Sequence, residues 1–151
     1  MPHRASSLEM EKLVRAFLAQ IPYNRVLGLQ VLDVSSAESR VGFDMRDELV
    51  GNFTKGSLHG GVISATLDVV GGIVALMSVA DNLDEVDLMK RVSVIGTIDL
   101  RVDYLRPGIG EHFEATGSIL RGGRKVTVTR MELRNDAAVL IAVGTGTYVV
   151  A

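Results

Sequence analysis

The sequence contains no cysteine and no tryptophan, and aromatic residues make up only 5% of its 151 residues. The absence of cysteine excludes disulfides, thiolate metal ligands and cysteine nucleophiles. The three histidines, His3, His59 and His112, are far apart in the sequence, so we expect no metal site. A net charge of -2 provides no basic surface for nucleic acid or anionic lipid. Local charges must therefore hold any anionic ligand.

The N-terminal region also lacks the continuous apolar segment and small-residue cleavage site of a secretory signal, which predicts a cytoplasmic location. A long, mostly apolar segment, residues 62–80, is long enough to cross a membrane. However, it contains Asp68 and the pair Gly71-Gly72, and alternating strands follow it, so we expect no membrane span. The chain length fits one domain with a hydrophobic core.

Residues 61–80 predict a central helix of roughly 30 Å, at about 1.5 Å per residue. Asp68 is the only charged residue in this helix. Burying an unpaired charge costs on the order of several kcal/mol, so another group must satisfy Asp68 or a function must use it. Helical spacing places Asp68 on a face of small residues, which admits another backbone or a thin ligand. Close helix packing explains such a face equally well. The face consists of Gly61, Ser64, Ala65, Asp68, Gly71 and Gly72.

The segment before this helix predicts an amphipathic helix followed by two strands. Residues 6–9 resemble a capping box, and apolar residues then recur at helical spacing until Pro22 ends the helix. Alternating residues around 27–31 and at 37–46 predict a β-hairpin. Residues 47–57 contain turn signals and predict a loop that leads into the central helix.

Four strands are predicted after the central helix. The acidic residues 81–90 predict an irregular connection or a short helical turn. The first strand is expected to run from Val92 to Leu105, with Thr97 and Asp99 on the face opposite to Ile98 and Leu100. The other strands lie around 113–119, 126–133 and 139–149. Antiparallel strands and one long helix indicate an α+β domain in which a curved sheet covers that helix.

Four ordered motifs resemble those of a known family. His59-Gly60-Gly61, with Asp68 nine residues after the histidine, resembles the signature of hotdog-fold acyl-CoA thioesterases of the phenylacetic-acid-degradation (PaaI-like) type. Residues 96–107, 123–126 and 142–148 resemble later segments of the same family. The resemblance implies a single hotdog domain, a curved antiparallel sheet wrapped around one long central helix. We assign residues 25–151 to the hotdog domain and residues 1–24 to an extra N-terminal amphipathic helix of that domain.

The resemblance implies hydrolysis of an acyl-CoA thioester to free acid and coenzyme A. In the family, the amide that corresponds to Gly60 polarises the thioester carbonyl, and the carboxylate that corresponds to Asp68 acts as general base or nucleophile. The residues agree with this role, because the start of a helix presents bare backbone donors at Gly60 and Gly61 to an oxygen. His59 is a candidate catalytic base, but it corresponds to a residue that mainly shapes the turn through hydrogen bonds in the family, and that structural role is favoured. Thr97 corresponds to a hydroxyl residue that orients water in some relatives, although a strand threonine facing solvent is an alternative.

Substrate-binding residues follow less directly from the resemblance. Some relatives carry an asparagine six residues before the histidine, where this chain has Phe53, so the neighbouring Asn52 is the candidate. The phosphates of coenzyme A need cations, for which Arg124 and Lys125 in the glycine turn are ranked above Arg106 and Arg121. Each of these cations could instead be an ordinary surface charge.

Hotdog thioesterases form their sites between two chains, so the resemblance implies a homodimer or a dimer of dimers, with the base and the oxyanion donor on different chains. No cofactor is expected beyond coenzyme A as part of the substrate, and no nucleic acid or membrane partner. The low aromatic content favours medium or long acyl chains over aromatic groups. Flexible apolar residues could line the pocket, namely Leu58, Met45, Met77 and Met89.

Two other functions remain open from the sequence. The first is a non-catalytic acyl-CoA-binding or acyl-CoA-sensing protein, since a fold does not fix a function. Regulatory hotdog proteins usually carry a DNA-binding segment, and the N-terminal region has no basic cluster. The second is a hotdog dehydratase or hydratase, which would need a different Asp/His arrangement from the one present.

Overall fold

The N-terminal region folds into two consecutive helices in the computed structural model, which describes residues 6–80 and 83–151. The first, α1 (Ser7–Gln20), begins with the predicted capping box: the Ser6 hydroxyl accepts from the Glu9 N–H at 3.3 Å. Its Met10, Val14 and Leu18 are buried. Pro22 ends α1 as predicted and opens α2 (Pro22–Leu27), where a proline at the first helical position is favourable. His3 lies outside the described residues.

Replacing Ser6 with alanine is expected to lower the free energy of unfolding by about 1 kcal/mol, because the first turn of α1 loses its side-chain cap. Urea denaturation measures this change. Ser7→Ala is the matched control, since the Ser7 side chain makes no capping hydrogen bond. Equal stability of the two variants would contradict a capping role for Ser6.

The main sheet contains six antiparallel strands in the order β1-β2-β6-β7-β8-β5. This arrangement around a long helix confirms the predicted α+β architecture. A separate two-stranded hairpin lies in the segment that was predicted to be a loop, after a single 3-10 turn at Asp47–Leu49. The strands are β1 (Gln30–Asp33), β2 (Glu38–Asp44), β3 (Val50–Asn52), β4 (Ser57–Leu58), β5 (Gly96–Tyr104), β6 (His112–Arg121), β7 (Val126–Asn135) and β8 (Leu140–Val149).

The central helix, α3 (Gly60–Ala80), begins one residue before its predicted start and packs against β2, β5, β6, β7 and β8. Phe43 and Phe113 stack in the core with ring centroids 5.3 Å apart. By length and composition α3 could cross a membrane, but a core helix passes the same test, and 61% of its most apolar segment is buried inside the protein. Asp68 and Gly72 of α3 line a pocket together with residues of α1 and the start of β5.

The connection after α3 differs from its prediction. Residues 85–94 form a fourth helix, α4 (Glu85–Val94), whereas an irregular connection with at most a short helical turn was expected; Asp81 and Asn82 lie outside the described residues. Asp84 caps α4 by accepting from the Asp87 N–H at 2.8 Å. Leu88 is the buried residue of this helix. Because charged residues surround it in the sequence, the apolar periodicity of the segment is weak. The predicted strand start at Val92 is wrong, because β5 begins at Gly96.

Smaller boundary errors occur before the central helix. Leu27, which was placed near the first strand, ends α2, and Gly28 follows it with a φ of 68°. This left-handed conformation suits glycine and terminates the helix. The first strand therefore begins at Gln30 and is shifted toward the C-terminus.

Candidate active site

The Asp68 carboxylate accepts two side-chain hydrogen bonds on one of its oxygens. Asp68 Oδ1 lies 2.8 Å from the Thr97 hydroxyl and 3.1 Å from the Tyr148 hydroxyl. Asp68 Oδ2 has no hydrogen-bond partner among residues 6–80 and 83–151. Asp68 itself is only partly buried. One oxygen is thus fixed in position, and the other is free to bind a water or to attack a carbon atom.

Thr97 reaches Asp68 because of an irregularity in β5. The register between β5 and β8 shifts between Thr97 and Asp99, which leaves Ile98 as an extra residue. Strict alternation would place Thr97 on the outer face with Asp99, as the sequence predicts. Instead, Thr97 pairs with Tyr148 and lies on the helix side of the sheet. The predicted facing of Thr97 is wrong, whereas its proximity to the proposed base agrees with the resemblance.

Tyr148 also contacts Asp68, and it is not among the candidates that the sequence predicts. It is 2% exposed, and its hydroxyl lies 3.1 Å from both the Asp68 side-chain oxygen and the Asp68 backbone oxygen. Burial, followed by the nearby Asp68 charge, raises the pKa of the Tyr148 phenol well above its usual value. Tyr148 therefore stays a neutral donor at physiological pH. The sequence feature that could have identified Tyr148 is its place at the last buried position of β8, within the segment 142–148 that resembles the family.

Replacing Tyr148 with phenylalanine is expected to lower kcat by about tenfold, because Asp68 loses one of two donors that orient it while the ring volume is kept. Steady-state kinetics with an acyl-CoA substrate measures the effect. Tyr23→Phe is the control, since the Tyr23 ring is 54% exposed and lies away from Asp68. A Tyr148→Phe enzyme with unchanged kcat would contradict an orienting role.

The start of α3 presents a free backbone donor at Gly60. The imidazole Nδ1 of His59 accepts from the Gly61 N–H at 2.8 Å, so one predicted donor, Gly61, is occupied. His59 Nδ1 is therefore the unprotonated ring nitrogen. The Gly60 N–H has no partner among the described residues. Of the two amides predicted to meet an oxygen, only Gly60 is available, and the His59 side chain shapes the turn.

A second pocket surrounds this free amide. Its lining includes Asn52, Lys55 and Arg106 together with Gly60. The Asn52 side-chain oxygen accepts from the Thr54 N–H at 3.1 Å and from the Thr54 hydroxyl at 2.6 Å, so it is engaged in its own turn. The sequence gives no reason to select Lys55, and it ranks Arg106 below Arg124 and Lys125. Lys55 and Arg106 are each a single charged residue in a loop, and no sequence pattern connects them with the start of α3.

Arg124 and Lys125 lie in the exposed turn between β6 and β7. This turn is next to the end of β8, since Val150 N–H donates to the Lys125 carbonyl at 2.8 Å. Neither side chain lines the pocket around Gly60 or the pocket beside Asp68. Their predicted contact with coenzyme A stays a prediction.

Gly60 and Asp68 are too far apart to act together within one chain. They are eight residues apart on α3, which separates their backbones by about 12 Å along the helix. A thioester carbonyl held by the Gly60 amide is therefore beyond the reach of the Asp68 carboxylate of the same chain. Only an arrangement of two chains would bring such a pair of groups together on one substrate.

The outer edge of the sheet is available for such a pairing. Within the described part of the chain, β5 pairs on one side with β8 and forms an edge of the six-stranded sheet. Two of its large side chains are mostly exposed: Ile98 by 59% and Tyr104 by 53%. An unpaired strand edge with exposed apolar residues is prone to pair with another strand.

The chain resembles known thioesterases in sequence. A family model of the thioesterase superfamily matches residues 55–142. The medium/long-chain acyl-CoA thioesterase YigI of Salmonella typhimurium is 45% identical over 137 residues, which make up 89% of this chain and 88% of that relative. This identity is high. The residues matched by the family model include the start of α3 and Asp68.

Solved structures agree with this assignment. A crystal structure of a Shewanella oneidensis protein related to the thioesterase superfamily gives a TM-score of 0.91 at 41% identity, covering 97% of this chain and 100% of that one. The phenylacetic acid degradation protein PaaI of Thermus thermophilus gives 0.69 at 24% identity, covering 86% and 99%, and shows a shared fold. The resemblance predicted from the motifs is confirmed: the chain belongs to the thioesterase superfamily.

Proposed function

We propose that this protein hydrolyses acyl-CoA thioesters with medium or long acyl chains to free acids and coenzyme A. The observation that carries the proposal is the Asp68 carboxylate, with one oxygen held by two hydroxyls and the other free. The curated YigI relatives, at 44–45% identity, are medium/long-chain acyl-CoA thioesterases. Their names bear out the prediction of a thioester hydrolase and support the choice of medium or long acyl chains.

The proposed reaction uses Asp68 and Gly60 in different roles. Asp68 takes a proton from a water molecule that attacks the thioester carbon, or attacks that carbon itself. The Gly60 N–H donates to the oxyanion of the tetrahedral intermediate. Collapse of the intermediate breaks the carbon–sulfur bond, and the departing thiolate of coenzyme A takes up a proton. Coenzyme A enters as part of the substrate, and the proposal includes no other cofactor.

A single turnover in ¹⁸O-labelled water separates the two roles of Asp68. If Asp68 acts as a general base, the labelled oxygen appears in the free acid during the first turnover. If Asp68 acts as a nucleophile, an acyl-aspartyl anhydride forms; attack of water on its aspartyl carbon leaves the label on Asp68, whereas attack on its acyl carbon places the label in the free acid. Label in the peptide that contains Asp68, detected by mass spectrometry, arises only from the nucleophilic role, and mass spectrometry of the acid accounts for the remaining label.

The site is proposed to form in a homodimer or a dimer of dimers. The separation of about 12 Å between Gly60 and Asp68 along one helix supports a shared site. The exposed edge of β5 supplies a surface on which two sheets could join. In such an assembly Asp68 of one chain faces Gly60 of the other.

Cations near the helix start are proposed to assist in binding coenzyme A. Lys55 and Arg106 line the pocket that contains Gly60, so phosphate groups bound there would be close to the oxyanion donor. Arg124 and Lys125 remain candidates from the resemblance alone. The proposal includes no nucleic-acid or membrane partner. The cytoplasmic location and the division at residues 24 and 25 stay predictions.

Thiol release from a panel of acyl-CoA substrates tests the proposed function. We expect octanoyl-, dodecanoyl- and palmitoyl-CoA to be cleaved faster than phenylacetyl-CoA. Binding of these esters without thiol release from any of them would contradict hydrolysis. That outcome would favour the alternative of a non-catalytic acyl-CoA-binding protein.

A further inference from the structure

An apolar cavity of about 160 Å³ opens beside Asp68, between α1 and α3. Phe17 of α1 and Ile21, which lies between α1 and α2, form part of one wall, and Gly72 and Leu76 of α3 form part of the opposite wall. In other proteins, a dry apolar cavity of similar size, about 150 Å³, binds benzene. The cavity beside Asp68 therefore accepts an alkyl segment of about six carbon atoms.

The polar groups of this cavity are gathered at one end. Asp68, Thr97 and Tyr148 line it, and their side chains hydrogen-bond to one another. The remaining walls are apolar side chains and glycine, which give an ordered water few partners. The cavity thus joins a reactive carboxylate to a space that favours a hydrocarbon.

Gly72 lies one helical turn after Asp68, and packing against the sheet does not explain why it is a glycine. A Cβ at Gly72 would lie 3.6 Å from the Tyr148 ring, which is an ordinary contact. In contrast, a Cβ at the adjacent Gly71 would lie 2.9 Å from both Met131 Sδ and Thr129 Oγ1, which is too close. A glycine in a helix interior is destabilising relative to alanine, so Gly72 lowers the stability of α3, and packing does not explain its presence.

We propose that this cavity holds the acyl tail, that the missing side chain at Gly72 keeps the space near Asp68 open, and that Phe17 of α1 and the adjoining Ile21 limit the tail length. The proposal rests on the proposed acyl-CoA hydrolysis and adds the residues that select the substrate. The N-terminal helix then forms a wall of the substrate pocket. Met45, Met77, Met89 and Leu58, which the sequence suggested as pocket residues, do not line this cavity.

The test compares kcat/KM for butyryl-, octanoyl-, dodecanoyl- and palmitoyl-CoA in the wild type and in variants. Gly72→Val places a branched side chain in the cavity near Asp68 and is expected to reduce kcat/KM for dodecanoyl-CoA by about tenfold or more relative to butyryl-CoA. Phe17→Ala widens the cavity and is expected to shift the preference toward palmitoyl-CoA. Leu13→Ala is the matched control, because Leu13 lies on α1 and packs against the core without lining the cavity.

The outcomes separate this proposal from the proposed function. Wild-type protein that hydrolyses no member of the panel would overturn both. Wild-type activity with the same chain-length profile in Gly72→Val, Phe17→Ala and Leu13→Ala would overturn the tail pocket alone. If Gly72→Val does not fold, as judged by circular dichroism, Gly72→Ala adds a single methyl group in an ordinary contact, and the Phe17→Ala profile decides independently.

Discussion

Replacing Asp68 with asparagine is expected to lower kcat for acyl-CoA hydrolysis by about 100- to 10,000-fold, the usual contribution of a positioned general base. Asparagine keeps the size of the side chain and an oxygen that accepts from the hydroxyls of Thr97 and Tyr148. The change therefore removes the charge and the proton acceptor while preserving the local packing. Initial rates of thiol release under saturating substrate measure the loss.

Two further variants make the Asp68 result interpretable. Asp33→Asn removes a carboxylate from the exposed end of β1 and should leave kcat unchanged. Asp68→Ala removes the acceptor oxygen as well and should be at least as inactive as the asparagine variant. Wild-type turnover by either Asp68 variant, with the folded state intact, would contradict the assignment of Asp68 as base or nucleophile.

Replacing Gly60 with proline is expected to lower kcat by about 100- to 1,000-fold, because it deletes one oxyanion donor. Gly60 is the first residue of α3, a position where proline is well tolerated because its missing N–H is not needed by the helix. The Gly60 N–H has no partner in the described part of the chain, so its removal breaks no hydrogen bond there. Comparison of kcat between the variant and the wild type measures the loss.

Gly60→Ala is the matched control for this variant. It keeps the N–H, and its Cβ would lie 3.4 Å from the Tyr104 ring, so little rearrangement is required. We expect the alanine variant to retain most of the wild-type kcat. Equal losses in the alanine and proline variants would show that the side-chain volume matters at Gly60, rather than the donor.

The sequence predicted the parts of the site that local patterns encode. The start of α3 follows from His59-Gly60-Gly61, and Asp68 was conspicuous as a single charge in an apolar helix. The contact between Thr97 and Asp68 could not be derived from alternation, because the irregularity at Ile98 reverses the facing of Thr97. Register irregularities depend on the pairing of two distant segments, which a local period does not contain.

Other residues were missed because their positions depend on tertiary packing. Tyr148 lies 80 residues after Asp68 in the sequence, and it contacts Asp68 only because β8 packs against α3. Lys55 and Arg106 meet at the Gly60 pocket from two separate loops. In α4 (Glu85–Val94), a single leucine is buried, and the charged residues around it obscure the helical pattern in the sequence. The long amphipathic elements were predictable, whereas contacts between distant segments were not.

The most direct test of the shared site uses a mixed dimer of Asp68→Asn and Gly60→Pro chains, co-expressed with different affinity tags and purified through both. If each site combines Asp68 of one chain with Gly60 of the other, one of the two sites in the mixed dimer is intact. Its kcat per dimer should then reach about half of the wild-type value, although both parent variants are nearly inactive. A mixed dimer no more active than its parents would contradict a site shared between two chains.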